Sequence, residues 1–138
     1  MSGNTENRIY LDASIIILLI EGAREAKDRL RSELRRLGAD QGILLVSPLT
    51  KLECLVKPIR TANASLEQVY RMFFSSSEIR QVEIGPTEWE KATRIRAQYG
   101  FRVPDALHLA TAALNDCSMI VTHDDRWSSF GEAHVEVI

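Results

Sequence analysis

The chain has 138 residues, 45% hydrophobic and 26% charged, with 17 basic against 19 acidic groups and a formal net charge of −2. That length fits one domain with its own core, and the composition excludes a disulfide scaffold, a collagen-like repeat and a disordered chain. A charge this close to balance also excludes nucleic-acid binding by bulk positive charge alone.

Residues 1–7 are polar and read as a frayed end, without the basic flank and apolar core of a signal peptide. Ile9-Tyr10-Leu11 is a short apolar run that predicts a buried strand, followed by a helix from Ser14 to Glu21 that Gly22 ends. Ala26, Leu30, Leu34 and Leu37 recur at helical spacing, which predicts a helix over Glu25–Leu37 with Gly38 as its cap. Arg24, Lys27, Arg29, Arg31, Arg35 and Arg36 spread around that helix among acidic neighbours, the pattern of a solvated surface.

Ile43–Val46, bounded by Gly42 and Pro48, predicts a second buried strand. A helix opens at Ser47 or Pro48 and is expected to stop near Val56, with Pro58 ending it. Ser65–Phe74 reads as a helix. Its Tyr70, Met72, Phe73 and Phe74 are more apolar bulk than one face of a surface helix needs, which predicts an interface with a second copy.

Ile79–Ile84 alternates as a third strand, and Pro86–Tyr99 is a helix with Pro at its start and Gly100 past its end. Val103–Asn115 is a further helix, Met119–Val121 a fourth strand ending at Thr122, and Val135–Ile138 a fifth. Apolar strands alternating with helices predict an α/β fold with a mostly parallel sheet.

Cys54 and Cys117 form no CxxC pair and read as two reduced thiols rather than a disulfide or a zinc site. The longest strictly apolar run, Ile15–Ile20, is far short of the roughly 20 residues a membrane helix needs. The expectation is a cytoplasmic protein without membrane contact. No glycine-rich nucleotide loop, no GxSxG elbow and no HxxxH spacing is present.

What remains is a set of carboxylates. Asp12 ends the first strand in YLDAS, and Glu53 lies on the helix after the second strand in LTKLECLVKP. Asp105 opens a helix in PDALHLATA, and Asp124 and Asp125 follow the fourth strand in IVTHDDRW. Each has a plain structural account: Asp12 as a helix cap, Asp105 as a partner of a helix N-terminus, Glu53 as a solvated helix residue, the Asp124-Asp125 pair as turn residues. Yet strand ends of a parallel sheet are where ligands bind. Carboxylates converging there without cationic partners repel unless a hard divalent cation compensates, and Mg²⁺ and Mn²⁺ prefer such oxygens. The chemistry these residues suit is phosphodiester hydrolysis.

The four motifs, in this order and spacing across nearly the whole chain, resemble those of PIN-domain ribonucleases, and among them the VapC-type toxins of toxin–antitoxin modules. The fourth motif of that family ends T-x-D-x-x-F; Thr122, Asp124 and Trp127 fill those places here, with Trp for Phe. The resemblance implies a PIN-like three-layer α/β/α sandwich of five strands. It implies that Asp12, Glu53, Asp105 and Asp124 are the catalytic, metal-holding carboxylates for Mg²⁺ (with Mn²⁺ able to substitute), and that Ser14 and Thr122 support them. Asp125 falls outside the pattern. The implied activity is endonucleolytic hydrolysis of RNA to a 5′-phosphate and a 3′-hydroxyl, and the implied partners are an antitoxin and a second copy of the chain. The alternative is a catalytically silent module of the same fold that binds RNA or protein. His108 reads as packing, His123 as a residue beside the site, and Trp89 and Trp127 as core or helix-packing residues.

Overall fold

Alternation along the first strand decides the architecture. In the computed structural model, which describes residues 7–138, β1 (Asn7–Leu11) sends Ile9 and Leu11 into one buried cluster and Tyr10 into another. A strand buried on both faces belongs in the middle of a sheet. Asn7 is thus part of a strand rather than of a frayed end; residues 1–6 of that stretch lie outside the described residues.

Four further strands surround it: β2 (Gly42–Val46), β3 (Ile79–Gln81), β4 (Met119–Thr122) and β5 (Val135–Val137). The order is β3-β2-β1-β4-β5, and every pairing is parallel. Six helices connect them: α1 (Ala13–Glu21), α2 (Arg24–Arg36), α3 (Pro48–Arg60), α4 (Ala64–Phe74), α5 (Pro86–Tyr99) and α6 (Val103–Leu114).

Right-handed crossovers place helices on one face while the chain steps β1 to β2 to β3, and on the opposite face when it returns to β4. Leu30, Leu34, Tyr70 and Phe74 accordingly pack on the Ile9–Leu11 side, and Ala92, Ile95, Leu109 and Ala110 on the Tyr10 side. The result is the expected three-layer sandwich. Among the described residues, no helix is long and apolar enough to cross a membrane.

The structure departs from the sequence reading in four further places. α3 runs through Pro58 to Arg60. Pro58 forgoes one hydrogen bond to the Cys54 carbonyl, but it is buried and close to the helix end. The chain beyond it still closes, with Thr61 N–H donating to Lys57 O (3.0 Å) and Asn63 N–H to Pro58 O (2.8 Å). β3 stops at Gln81 rather than Ile84 because it is an edge strand with β2 as its one partner. Beyond it, Gly85 N–H donates to Glu88 Oε1 (2.7 Å), which turns the chain into α5.

In α4, Tyr70 and Phe74 point into the core and Met72 faces solvent, so the apolar bulk of that helix is mostly core. Trp89 is half exposed on α5, whereas Trp127 is buried as expected. Cys54 and Cys117 are free thiols that border opposite clusters. Burial pushes the Cys54 thiol up to about 12 and that of Cys117 to about 11.

Gly42 stands opposite Asn7 where β2 begins. Its backbone is extended, but a Cβ there would meet Asn7 O at 2.4 Å and Asn7 Cβ at 2.8 Å. Gly42→Ala should therefore force β1 and β2 apart and destabilise the fold by about 1–3 kcal/mol, read as a lower urea midpoint at unchanged m-value.

Candidate active site

In this sheet order the chain leaves β1 toward one side and returns at β4 on the other, so the crevice between their carboxyl ends is the switch point where open α/β sheets bind ligands. Asp12 sits there. Its N–H donates to Val121 O (3.0 Å), extending the β1–β4 ladder, and its carbonyl accepts Ile15 N–H (3.0 Å), opening α1. Its side chain does not cap that helix. Instead Oδ2 accepts from Ser14 Oγ and Thr122 Oγ1, both at 2.8 Å.

Each hydroxyl does a second job. Thr122 Oγ1 accepts Asp124 N–H (3.0 Å), and Ser14 Oγ accepts His123 N–H (3.2 Å). Asp12 is only 8% exposed, and the donors on Oδ2 are neutral. A carboxylate so placed is oriented but its charge is not compensated.

Glu53 reaches the same crevice from α3. His108 Nε2 lies 2.6 Å from Glu53 Oε1 and 4.0 Å from Asp12 Oδ1, so one ligand atom from each of Asp12, Glu53 and His108 falls within 4.8 Å of the others. His108 Nδ1 lies 2.7 Å from the Tyr10 hydroxyl, which donates to Ser47 Oγ at 2.9 Å. Burial raises the Tyr10 phenol well above its ordinary range. Sequence reading treated His108 as packing. The signal that it is more was the apolarity of its helix: an imidazole among buried alanines and leucines needs partners from elsewhere.

Asp105 and Asp124 stand apart from that cluster, and both have cationic neighbours. Arg126 holds Asp124 in a fork, Nε to Oδ1 at 3.0 Å and Nη2 to Oδ2 at 2.5 Å, with its own N–H also donating to Oδ1 (3.0 Å). That guanidinium holds the Asp124 carboxyl below the usual aspartate range. Arg102 Nε lies 3.5 Å from Asp105 Oδ2. The expectation of carboxylates without cationic partners is corrected here: Asp124 and Asp105 are paired with arginines two and three positions away in sequence, and Glu53 lies against His108.

Asp125 opens the short 3-10 turn Asp125–Ser129. His123 turns its Nδ1 to the Ile138 carbonyl. Trp127, in the family's Phe position, packs beside His108 with ring centroids 5.7 Å apart. The residues present suit a hard divalent cation: Asp12 Oδ1 has no hydrogen-bond partner among the described residues, and a second carboxylate faces it.

The sequence profile of the PIN domain matches residues 9–133. No curated protein matches the sequence. Among solved structures the fold is similar to VapBC2 of Rickettsia felis, bound to a DNA fragment from its promoter, at TM-score 0.75 and 15% identity over 94% of this chain and 98% of that one. It is similar to a toxin-antitoxin complex from Klebsiella pneumoniae at TM-score 0.72 and 26% identity, covering 94% and 96%. It is also similar to VapC20 of Mycobacterium tuberculosis, described as a sarcin-ricin loop cleaving toxin, at TM-score 0.69 and 16% identity, covering 91% and 98%.

The Asp124–Arg126 fork sets a pH dependence. A carboxyl whose folded-state pKa is depressed contributes stability above its ordinary pKa and loses it as pH falls through the folded value. Replacing Arg126 by Ala should move the Asp124 carboxyl titration, followed by ¹³C NMR, upward toward the ordinary aspartate range. The stability difference between the two proteins should vanish at the acid end of that window.

Proposed function

This chain belongs to the PIN domain family, and we propose that it is a Mg²⁺- or Mn²⁺-dependent endoribonuclease, the toxin of a toxin–antitoxin pair acting in the cytoplasm. The observation that carries this reading is Asp12: a nearly buried carboxylate at the switch point, fixed by two hydroxyls, with one oxygen free and Glu53 opposite. In this reading Asp12 and Glu53 hold the cation, and Asp105 and Asp124 complete the site from the rim of the crevice. A bound cation supplies an activated water and charge stabilisation on the phosphoryl group.

The chain's own residues do the rest. Ser14 and Thr122 keep Asp12 in one orientation. Arg102 and Arg126 are largely exposed at the rim; were Asp105 and Asp124 to hold a cation, both guanidiniums would be free to meet RNA phosphates, which suits their planar fork.

An antitoxin is supported by a groove of about 790 Å³ beside Ser14 and His123, floored by Ile17, Leu18 and Leu30, and by the similarity to the toxin-antitoxin complex from Klebsiella pneumoniae. A partly disordered antitoxin segment would order on this apolar floor and bring cationic groups to the acidic crevice. The silent-module alternative draws on the pairing of Asp124 with Arg126 and of Glu53 with His108, which lowers the repulsion a cation would need to relieve.

Labelled RNA separates the two readings. Cleavage should appear with Mn²⁺, vanish with chelator, and fall by roughly 10²-fold or more in Asp12→Asn; RNA binding without cleavage would favour the silent module. Asp105→Asn, nearly isosteric, should melt with chelator close to the wild-type temperature, since the pair it loses with the exposed Arg102 contributes little. With saturating Mn²⁺ it should melt below wild type, because wild type gains binding free energy that the variant lacks. A pure helix-dipole role for Asp105 would give the same loss in both conditions.

A homodimer is supported by Leu52, Val56 and Ile59, exposed at helical spacing on α3, and by Val69 and Met72, exposed on the α4 packed against it. Light scattering at micromolar concentration should give twice the 15.6 kDa chain mass, and Val56→Glu should return it to one.

A further inference from the structure

From Ala106 to Ala112 every residue of α6 is buried, and all but His108 and Thr111 are apolar. Thr111 satisfies its hydroxyl within the helix, donating to Leu107 O at 2.7 Å. His108 has no such local outlet, and both its nitrogens reach other elements. Nδ1 meets Tyr10 of β1 at 2.7 Å, and Nε2 meets Glu53 of α3 at 2.6 Å.

The far end of this chain of contacts is equally fixed. Tyr10 donates to Ser47 Oγ, and Ser47 and Thr50 form the reciprocal cap that starts α3. Trp127 lies against the imidazole from the side of β4. The ring therefore has neither room nor hydrogen-bonding freedom to turn.

Glu53 is different in kind. It is long and partly exposed, and on a helix surface such a side chain samples several rotamers. Here one of its oxygens is engaged by a ring that is itself held on three sides. The other has no hydrogen-bond partner among the described residues. Asp12 shows the same division, with Oδ2 held by hydroxyls and Oδ1 without a hydrogen-bond partner among the described residues. Ligating carboxylates elsewhere are held in this way by hydrogen-bonding neighbours that do not touch the metal.

We propose that His108, fixed by Tyr10, is a positioning residue that holds Glu53 so that it and Asp12 take up a divalent cation together. This rests on the metal-dependent reading above. It assigns His108 a role through Glu53 rather than as a ligand: were Nε2 to bind the cation, it would have to give up Glu53, and Glu53 would lose the contact that orients it.

The test is Mn²⁺ affinity of the full chain by isothermal titration, with RNA absent. His108→Leu should bind Mn²⁺ about 10–100-fold more weakly than wild type, and Tyr10→Phe should shift it in the same direction by less. The deciding measurement is the double variant His108→Leu/Glu53→Gln. With nothing left to position, it should bind no more weakly than Glu53→Gln alone.

Losses that multiply in the double variant would make His108 an independent ligand and overturn the proposal, as would a His108→Leu affinity equal to wild type. If His108→Leu shows no cooperative melt in chelator, the same cycle with Tyr10→Phe and Glu53→Gln decides by the same criterion. A wild-type protein that takes up no Mn²⁺ would overturn the metal-dependent reading and this proposal with it. Wild-type uptake with an insensitive His108 would overturn this proposal alone.

Discussion

Two hydroxyls on one carboxylate oxygen tie the molecule together at its centre. Asp12 Oδ2 receives Ser14 from the first turn of α1 and Thr122 from the last residue of β4. The same hydroxyls receive the backbone N–H groups of His123 and Asp124. At this point β1 and β4 end side by side and their chains depart, so the ladder no longer holds them. Without the side-chain contacts, the loop after β4 would lose the two hydrogen bonds that fix its path beside Asp12. The positions of Asp124 and Arg126 follow from where this clamp leaves the chain.

The clamp also explains why the acidic residues are not equivalent. Asp12 receives neutral donors on its held oxygen, and its other oxygen has no hydrogen-bond partner among the described residues. Asp124 is neutralised by a guanidinium only two residues away, at an exposed site where such a pair contributes little to stability. A cation would meet Asp12 Oδ1 without breaking a hydrogen bond among the described residues, whereas at Asp124 it would compete with Arg126. The rim pairs are thus exchangeable and the central carboxylate is not. That asymmetry is what the proposed uptake of an ion and an anionic substrate in turn would use.

Local signals in the sequence carry the order of elements and the motif positions, because strands here are short apolar runs between glycines and prolines. Signals fail where the answer lies across the sheet. Pro58 reads as a helix stop, yet its helix needs only one bond fewer to run on to Arg60. Tyr70 and Phe74 read as surface excess because sequence shows the width of an apolar stripe and not the depth of the groove it fills. The edge position of β3 cannot be read from its alternating residues, since edge and centre differ in partners and not in pattern. For the site, Arg126 beside Asp124 was legible in IVTHDDRW, two residues away and hence within reach of a fork. The contact of His108 with Glu53 spans 55 residues and required the fold.

That long-range contact bears on how the fold and the site are coupled. Tyr10 is a core residue by burial, packed with Leu45 and Ile120, yet its hydroxyl is the link between the α3 cap and His108. α6 brings the imidazole because its apolar face must pack on the Tyr10 side of the sheet, and α3 brings the carboxylate because Ser47 starts that helix at the end of β2. Each placement serves packing first. The polar atoms then meet with little freedom left: β1, α3 and α6 are already fixed by their own hydrophobic contacts, so the hydrogen bonds between them cost little additional ordering. A polar network assembled from rigid apolar elements can hold a side chain more firmly than loop-borne groups would. This is the physical sense in which the hydrophobic core of this protein extends to the carboxylates at its crevice.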